Sequence, residues 1–241
     1  MLTDAQLQKI MPNLAVAKRA LYLPHLNAAM AAHGIDTALR TAAFIAQLAH
    51  ESGEFRWMEE IWGPTAAQLR YEPPSDLGRR LGNTQVGDGK RFKGRGPIQI
   101  TGRFNYQTYG DLLGIDLAGE PSRAAAPEVA FATAGLYWQR NGLNELADAR
   151  QFVTITKRIN GGTNGLADRQ MYYERAQSML VAPAVRGMPL MRGFEAIAAA
   201  MKPKKAAVKK SPATKKAAAK KTVAQKTAKQ TAKKTPAKRK T

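Results

Sequence analysis

The segment from Thr37 to Ser52, TALRTAAFIAQLAHES, constrains this chain more than any other. Ala38, Ala42, Ile45 and Ala49 recur at i, i+4, i+7 and i+11, one stripe of an α-helix that either Asp36 or Thr37 can cap. Leu39, Ala43, Ala46 and Leu48 fill most of the remaining circumference, so this helix belongs in the middle of a fold and not on its surface. Its end is polar. Glu51 falls on the side away from Ala42 and Ala49, in line with Arg40, Phe44 and Gln47, and Gly53 stops the helix. A carboxylate at that place costs energy unless the stripe opens onto a cleft or the group is paired.

Those two escapes give two readings. A carboxyl held at the end of a buried helix has its pKa raised by desolvation, which suits a general acid working near neutral pH. Glu60, nine residues further on, is expected to be wetter and ionised. One acid and one base in unlike surroundings is an arrangement that cleaves a glycosidic bond. In the other reading, Glu51 pairs with an arginine and has no further role.

The rest of the body also reads as helical. Thr3 to Ile10 carries a Thr3/Gln6 capping box, a second helix follows Pro12 from Asn13 to Ala20, and a third runs from Pro24 to Ala32 and ends at Gly34. Between Trp62 and Lys93, Pro and Gly punctuation predicts a long irregular loop, and a loop of that length inside a domain is usually functional. Later helices are expected over Pro127 to Gln139, with Phe131, Ala134, Leu136 and Trp138 mostly in the core, and over Met171 to Met179. Tyr172 and Tyr173 could stack on a sugar, but core packing is the simpler expectation. His25, His33 and His50 lack metal-ligand spacing, and neither metal nor cofactor is expected.

A second informative stretch is RFKGRGPIQITGRFNY, from Arg91 to Tyr106. Gly94 and Gly96 permit close backbone approach. If the segment is extended, Gln99 and Thr101 share one side and Ile98 and Ile100 the other, with Asn105 a turn further on. Such neutral groups suit the hydroxyls and N-acetyl groups of a sugar; alternatively they satisfy the backbone of their own loop.

Taken together, His50-Glu51-Ser52-Gly53, Glu60, Gly94-Arg95-Gly96-Pro97-Ile98-Gln99-Ile100-Thr101 and Ile159-Asn160-Gly161-Gly162 resemble glycoside hydrolase family 19. That family comprises chitinases and the peptidoglycan-cleaving endolysins of bacteria and their phages. The resemblance runs from about Thr37 to Met179 and implies a mainly α, lysozyme-like lobed helical domain with a substrate cleft. It also implies roles: Glu51 as general acid, Glu60 as the base that activates water in an inverting reaction, and Thr101 as a hydroxyl that helps hold that water. Glu59 adjoins Glu60, but the spacing in compact bacterial members favours Glu60. Gln99, Asn105 and Asn160 match substrate-contacting positions, and Arg169 matches a basic residue that organises the catalytic carboxylates. The disulfides and longer cleft loops of the plant members are missing, which implies a more open groove able to take the peptide-bearing glycan of peptidoglycan. Glu54 stands where glycine is common and is expected to face solvent.

Charge divides the chain. The net charge is +20, yet all 18 acidic residues and 22 of the 38 basic ones precede Lys202, leaving a body at +4 and a tail at +16. That tail, 202–241, has no aromatic and almost nothing to bury, and disorder is expected of it. The organisation expected is a catalytic domain over 1–183, a linker with a short helix over 184–201, and the tail. The tail resembles those of linker histones and would bind polyanions with strong salt dependence, either anionic cell-envelope polymers or nucleic acid. With no signal-like start and no apolar run of membrane-spanning length, synthesis in the cytoplasm and action on the wall after release, as for a phage or prophage lysin, is the expectation. The substrate expected is peptidoglycan, with chitin second and a nucleic-acid-binding role third; a monomer is expected.

Overall fold

The central segment forms a helix because Thr37 caps it, its hydroxyl accepting from the Arg40 amide, and because Gly53 ends it in the left-handed conformation that glycine enters at little cost. In the computed structural model, which describes residues 1–180, this helix spans Ala38–Ser52 and every residue from Thr41 to Ala49 is buried. The linker and tail expected over 184–201 and 202–241 lie outside the described residues. Before the central helix come α1 (Asp4–Ile10), with the Thr3/Gln6 capping box in place, and α2 (Val16–Ala32). The central helix is α3. It is followed by α4 (Ala66–Leu69), α5 (Asp76–Arg80), α6 (Asp88–Arg91), α7 (Arg103–Leu113), a 3-10 turn (Pro121–Ala125), α8 (Pro127–Arg140), α9 (Leu143–Asp148), α10 (Phe152–Asn160) and α11 (Leu166–Leu180).

Two hydrophobic clusters make two lobes. The larger joins α1, α2, α3, α8 and α11 around Phe44, Phe55, Phe131 and Trp138. The smaller gathers Phe92, Ile100, Tyr106, Tyr109 and Leu117. Ile98 and Tyr137 pack against both, so they mark the seam between the lobes. The most extensive helix pairings are α3 with α11 and α2 with α8.

Three expectations need correction. The break at Pro24 does not occur: α2 continues through it, because Tyr22, Leu26, Ala29 and Met30 are buried against the large lobe and tertiary packing outweighs the lost backbone bond. The final helix begins at Leu166, five residues before the expected start. The segment 62–93 is not structureless. It holds three short helices, capped by Thr65 with Gln68 and by Ser75, and a buried Asp88 whose carboxylate accepts from the amides of Thr84 and Gln85 and from Arg103. Helices of four or five residues are too short to show periodicity, which is why the segment reads as a loop in sequence.

Candidate active site

α11 lies along α3, and the contact is made partly by a buried charge. Arg169 is 1% exposed. Its Nη2 donates to Glu51 Oε1 at 2.5 Å, its Nη1 to Gln47 Oε1 at 2.5 Å, and its Nε to the Asn164 carbonyl at 3.4 Å. Gln47 in turn donates to Thr156 Oγ1 at 2.8 Å, so a chain of hydrogen bonds joins α10, α3 and α11. Glu51 is therefore not an unpartnered, desolvated carboxyl. About a quarter of its side chain is exposed, and one oxygen rests on a guanidinium; the other takes no hydrogen bond among the described residues. Burial, and after it the nearby Glu51 charge, pushes the phenol pKa of Tyr137 up.

The loop after Gly53 carries Glu60 to Gly94 and Gln68. The Glu60 amide donates to the Gly94 carbonyl at 2.8 Å, the Gly94 amide returns a bond to Glu60 Oε2 at 2.9 Å, and Gln68 Nε2 holds Oε1 at 2.9 Å. Glu60 is half-buried with both oxygens engaged, which is less wet than the sequence suggested. Antiparallel bridges join Glu59 to Arg95 and Arg95 to Ile100, making a three-segment β patch. Gly94 cannot be another residue here without displacement: a Cβ would sit 2.5 Å from Gln99 Oε1 and 3.3 Å from Thr101 Oγ1. Glu60, Gln99 and Thr101 thus meet around one glycine. Glu59 takes the opposite side, bound by Arg95 at 2.9 Å and Lys93 at 3.3 Å, and the alternation of an extended chain separates the two neighbouring carboxylates.

Residues 96–99 form a turn, not an extended strand, and Gln99 has a left-handed φ of 54°. Its amide donates to the Gly96 carbonyl at 2.8 Å, the Thr101 hydroxyl to the Gln99 carbonyl at 3.0 Å, and Asn105 Nδ2 to the Thr101 carbonyl at 2.7 Å. Both sequence readings of these groups hold in part. Their donors serve the backbone, and the side chains still line a groove of about 300 Å³ with Glu51 and Asn160, walled by Ile98, Ile100, Tyr109 and Tyr137. Asn160 is braced by its own bond to the Asn164 carbonyl at 3.1 Å. Of the seven residues singled out from sequence, Glu51, Gln99, Thr101, Asn105 and Asn160 line the groove. Arg169 stands behind Glu51, and Glu60 stands at Gly94 beside Gln99 and Thr101.

Glu54 is a correction. It does not face solvent: it is 5% exposed and accepts from the Asn13 amide at 2.6 Å, Asn13 Nδ2 at 3.0 Å and the Tyr172 hydroxyl at 2.9 Å. Gly53, Glu54 and Phe55 all have positive φ, and this sharp reversal carries the carboxylate inward. Burial, then the Glu54 bond, raises the Tyr172 pKa. Tyr173 stacks on Phe152, so the aromatic pair is core as expected. Sequence reasoning missed Gln68, Tyr137 and the His50 Nδ1 to Asp168 Oδ2 contact at 2.6 Å. Gln47 had a signal, a lone amide in an apolar helix four residues before Glu51; Tyr137 had none.

Comparison with known proteins follows the same outline. The family model described as chitinase class I, that of glycoside hydrolase family 19, matches residues 23–156. A glycosyl hydrolase family 19 domain-containing protein of Haemophilus influenzae is 33% identical over 198 residues, 72% of this chain and 94% of that protein. An endochitinase of Arabidopsis thaliana is 41% identical over 122 residues, 50% of this chain, and the chain spans only 39% of that relative's length. The crystal structure of a family 19, class IV chitinase from Zea mays matches with a TM-score of 0.56 and 26% identity over 76% of this chain and 94% of that one.

Proposed function

The chain belongs to glycoside hydrolase family 19, and on that premise we propose that it is an inverting glycosidase cleaving β-1,4 bonds between the N-acetylated amino sugars of peptidoglycan. The observation that carries the reading is the pair of carboxylates held in unlike ways: Glu51 on Arg169 with one oxygen free, and Glu60 on the Gly94 amide beside Gln99 and Thr101. In this mechanism the free oxygen of Glu51 holds the proton and passes it to the leaving glycosidic oxygen. Arg169 fixes the other oxygen and so the direction of transfer. Glu60 takes a proton from a water that attacks the anomeric carbon from the opposite face, with the Thr101 hydroxyl helping to hold that water. Inversion needs the two carboxyls about 6.5 to 9.5 Å apart to admit it. Gln99, Asn105 and Asn160 offer their side-chain oxygens to sugar hydroxyls and N-acetyl amides.

Peptidoglycan is favoured because the chain has no cysteine and so lacks the disulfide-braced loops that enclose the plant clefts, and because the sixteen positive charges of 202–241 suit an anionic cell envelope. On this reading the protein acts on the wall after release from the cytoplasm, and the tail directs it there. Chitin is the second reading, favoured by the names of relatives such as the Arabidopsis endochitinase. Reducing-end release from purified sacculi and from colloidal chitin, run in parallel with the intact chain and Glu51→Gln, tests both. Cleavage of sacculi with a loss of about a hundredfold or more in the variant is expected. Cleavage of chitin alone overturns the substrate, and an active variant overturns the role of Glu51.

A further inference from the structure

The segments that hold Glu60 beside Gln99 and Thr101 have a reverse face, and it is basic. Neighbouring side chains of an extended segment take opposite sides. Gly94 meets Glu60, Gln99 and Thr101 on one side, while Lys93 and Arg95 flank Glu59 on the other. That other side opens into a pocket of about 530 Å³ in which Lys90, Arg91, Lys93 and Arg95 face the single carboxylate of Glu59. Lys93 and Arg95 share Glu59. Arg91 donates from Nη2 to the carbonyls of Ala118 and Gly119 at 3.1 and 3.0 Å, which fixes its position without neutralising it. The Lys90 side chain is exposed, and its ammonium makes no hydrogen bond or ion pair among the described residues.

Glu72 adds a second carboxylate nearby, accepting from the amides of Gly87 and Lys90, and the four cations still leave an excess of positive charge that draws an anion. Resting on the reading of the substrate as peptidoglycan, we propose that this pocket binds carboxylates of the short peptide that peptidoglycan carries on its sugar chain. Chitin offers no such group, so the pocket would select between the two polymers. A peptide of four extended residues spans about 13 Å. In the proposed complex that peptide leaves a sugar in the groove, rounds the edge of the patch and brings a carboxylate to Lys90.

The test is calorimetric titration of the full chain, carrying Glu51→Gln so that nothing is cut, with a soluble disaccharide-tetrapeptide and with the same disaccharide lacking the peptide. The tail is present in every sample and cancels in the comparison between variants. The peptide-bearing ligand is expected to bind about tenfold more tightly, with the advantage falling as salt screens the pocket. Adding Lys90→Glu should bring the ratio of the two affinities close to one, whereas Lys90→Arg should keep it. Equal affinities without a Lys90 change, or a ratio untouched by Lys90→Glu, overturn the pocket. Sacculus cleavage by the unaltered chain judges the substrate reading separately. A chain that prefers the peptide-bearing ligand yet cuts only chitin keeps the pocket and loses that reading; one that cuts sacculi with no such preference loses the pocket alone.

Discussion

Arg169 is the residue through which the candidate site meets the fold. Its guanidinium forks between Gln47 and Glu51, two acceptors one helical turn apart on α3. A fork of fixed geometry can serve both at once, and a single ammonium cannot. Arg169→Lys should therefore leave one buried acceptor without a donor, at about 2 kcal/mol of stability, and should lower kcat at least about tenfold because Glu51 loses its fixed orientation. Thermal unfolding and steady-state rates on the preferred polymer check the two parts, and an unchanged kcat would contradict the positioning role. Glu54 carries the opposite lesson at the same scale. Its side chain is as buried as a core residue, yet it is held by an amide, a side-chain amide and a phenol, with no cation on it among the described residues.

At the scale of elements, the segment 62–93 holds the smaller lobe together through Asp88. Burial alone would raise the Asp88 pKa, but the Arg103 guanidinium and the amides of Gln85 and Thr84 outweigh it and hold the pKa below the ordinary 3.8. A carboxylate depressed on folding contributes stability that is complete above its unfolded pKa and is lost as pH falls through the folded one. Asp88→Asn should thus melt lower than the parent chain at pH 7, and the gap should narrow below about pH 4; a gap of constant size across pH 3 to 7 would contradict this. Elements differed in how legible they were. α3 was readable to its caps because fifteen residues repeat one period and Thr37 and Gly53 punctuate them. α4, α5 and α6 were not, since one helical turn carries no period, and the unbroken α2 hid behind Pro24. The site was readable as residue types. The turn at 96–99 was not, because Gln99 enters a left-handed conformation that its residue type does not announce.

For the whole molecule, the groove lies at the seam of two hydrophobic clusters, where Ile98 and Tyr137 touch both, so the carboxylates of α3 and of the β patch are placed by different lobes. The tail, 202–241, carries sixteen of the positive charges. Removing 202–241 should spare the hydrolysis of purified sacculi and abolish lysis of intact Gram-negative cells, and equal loss on both would contradict a targeting role. On the proposed mechanism Glu51 and a water activated by Glu60 act from opposite faces of the sugar ring. Proton NMR of the first product released from a β-linked substrate tests it most directly. The α-anomer is expected before mutarotation sets in, and the β-anomer as first product would contradict attack from the opposite face.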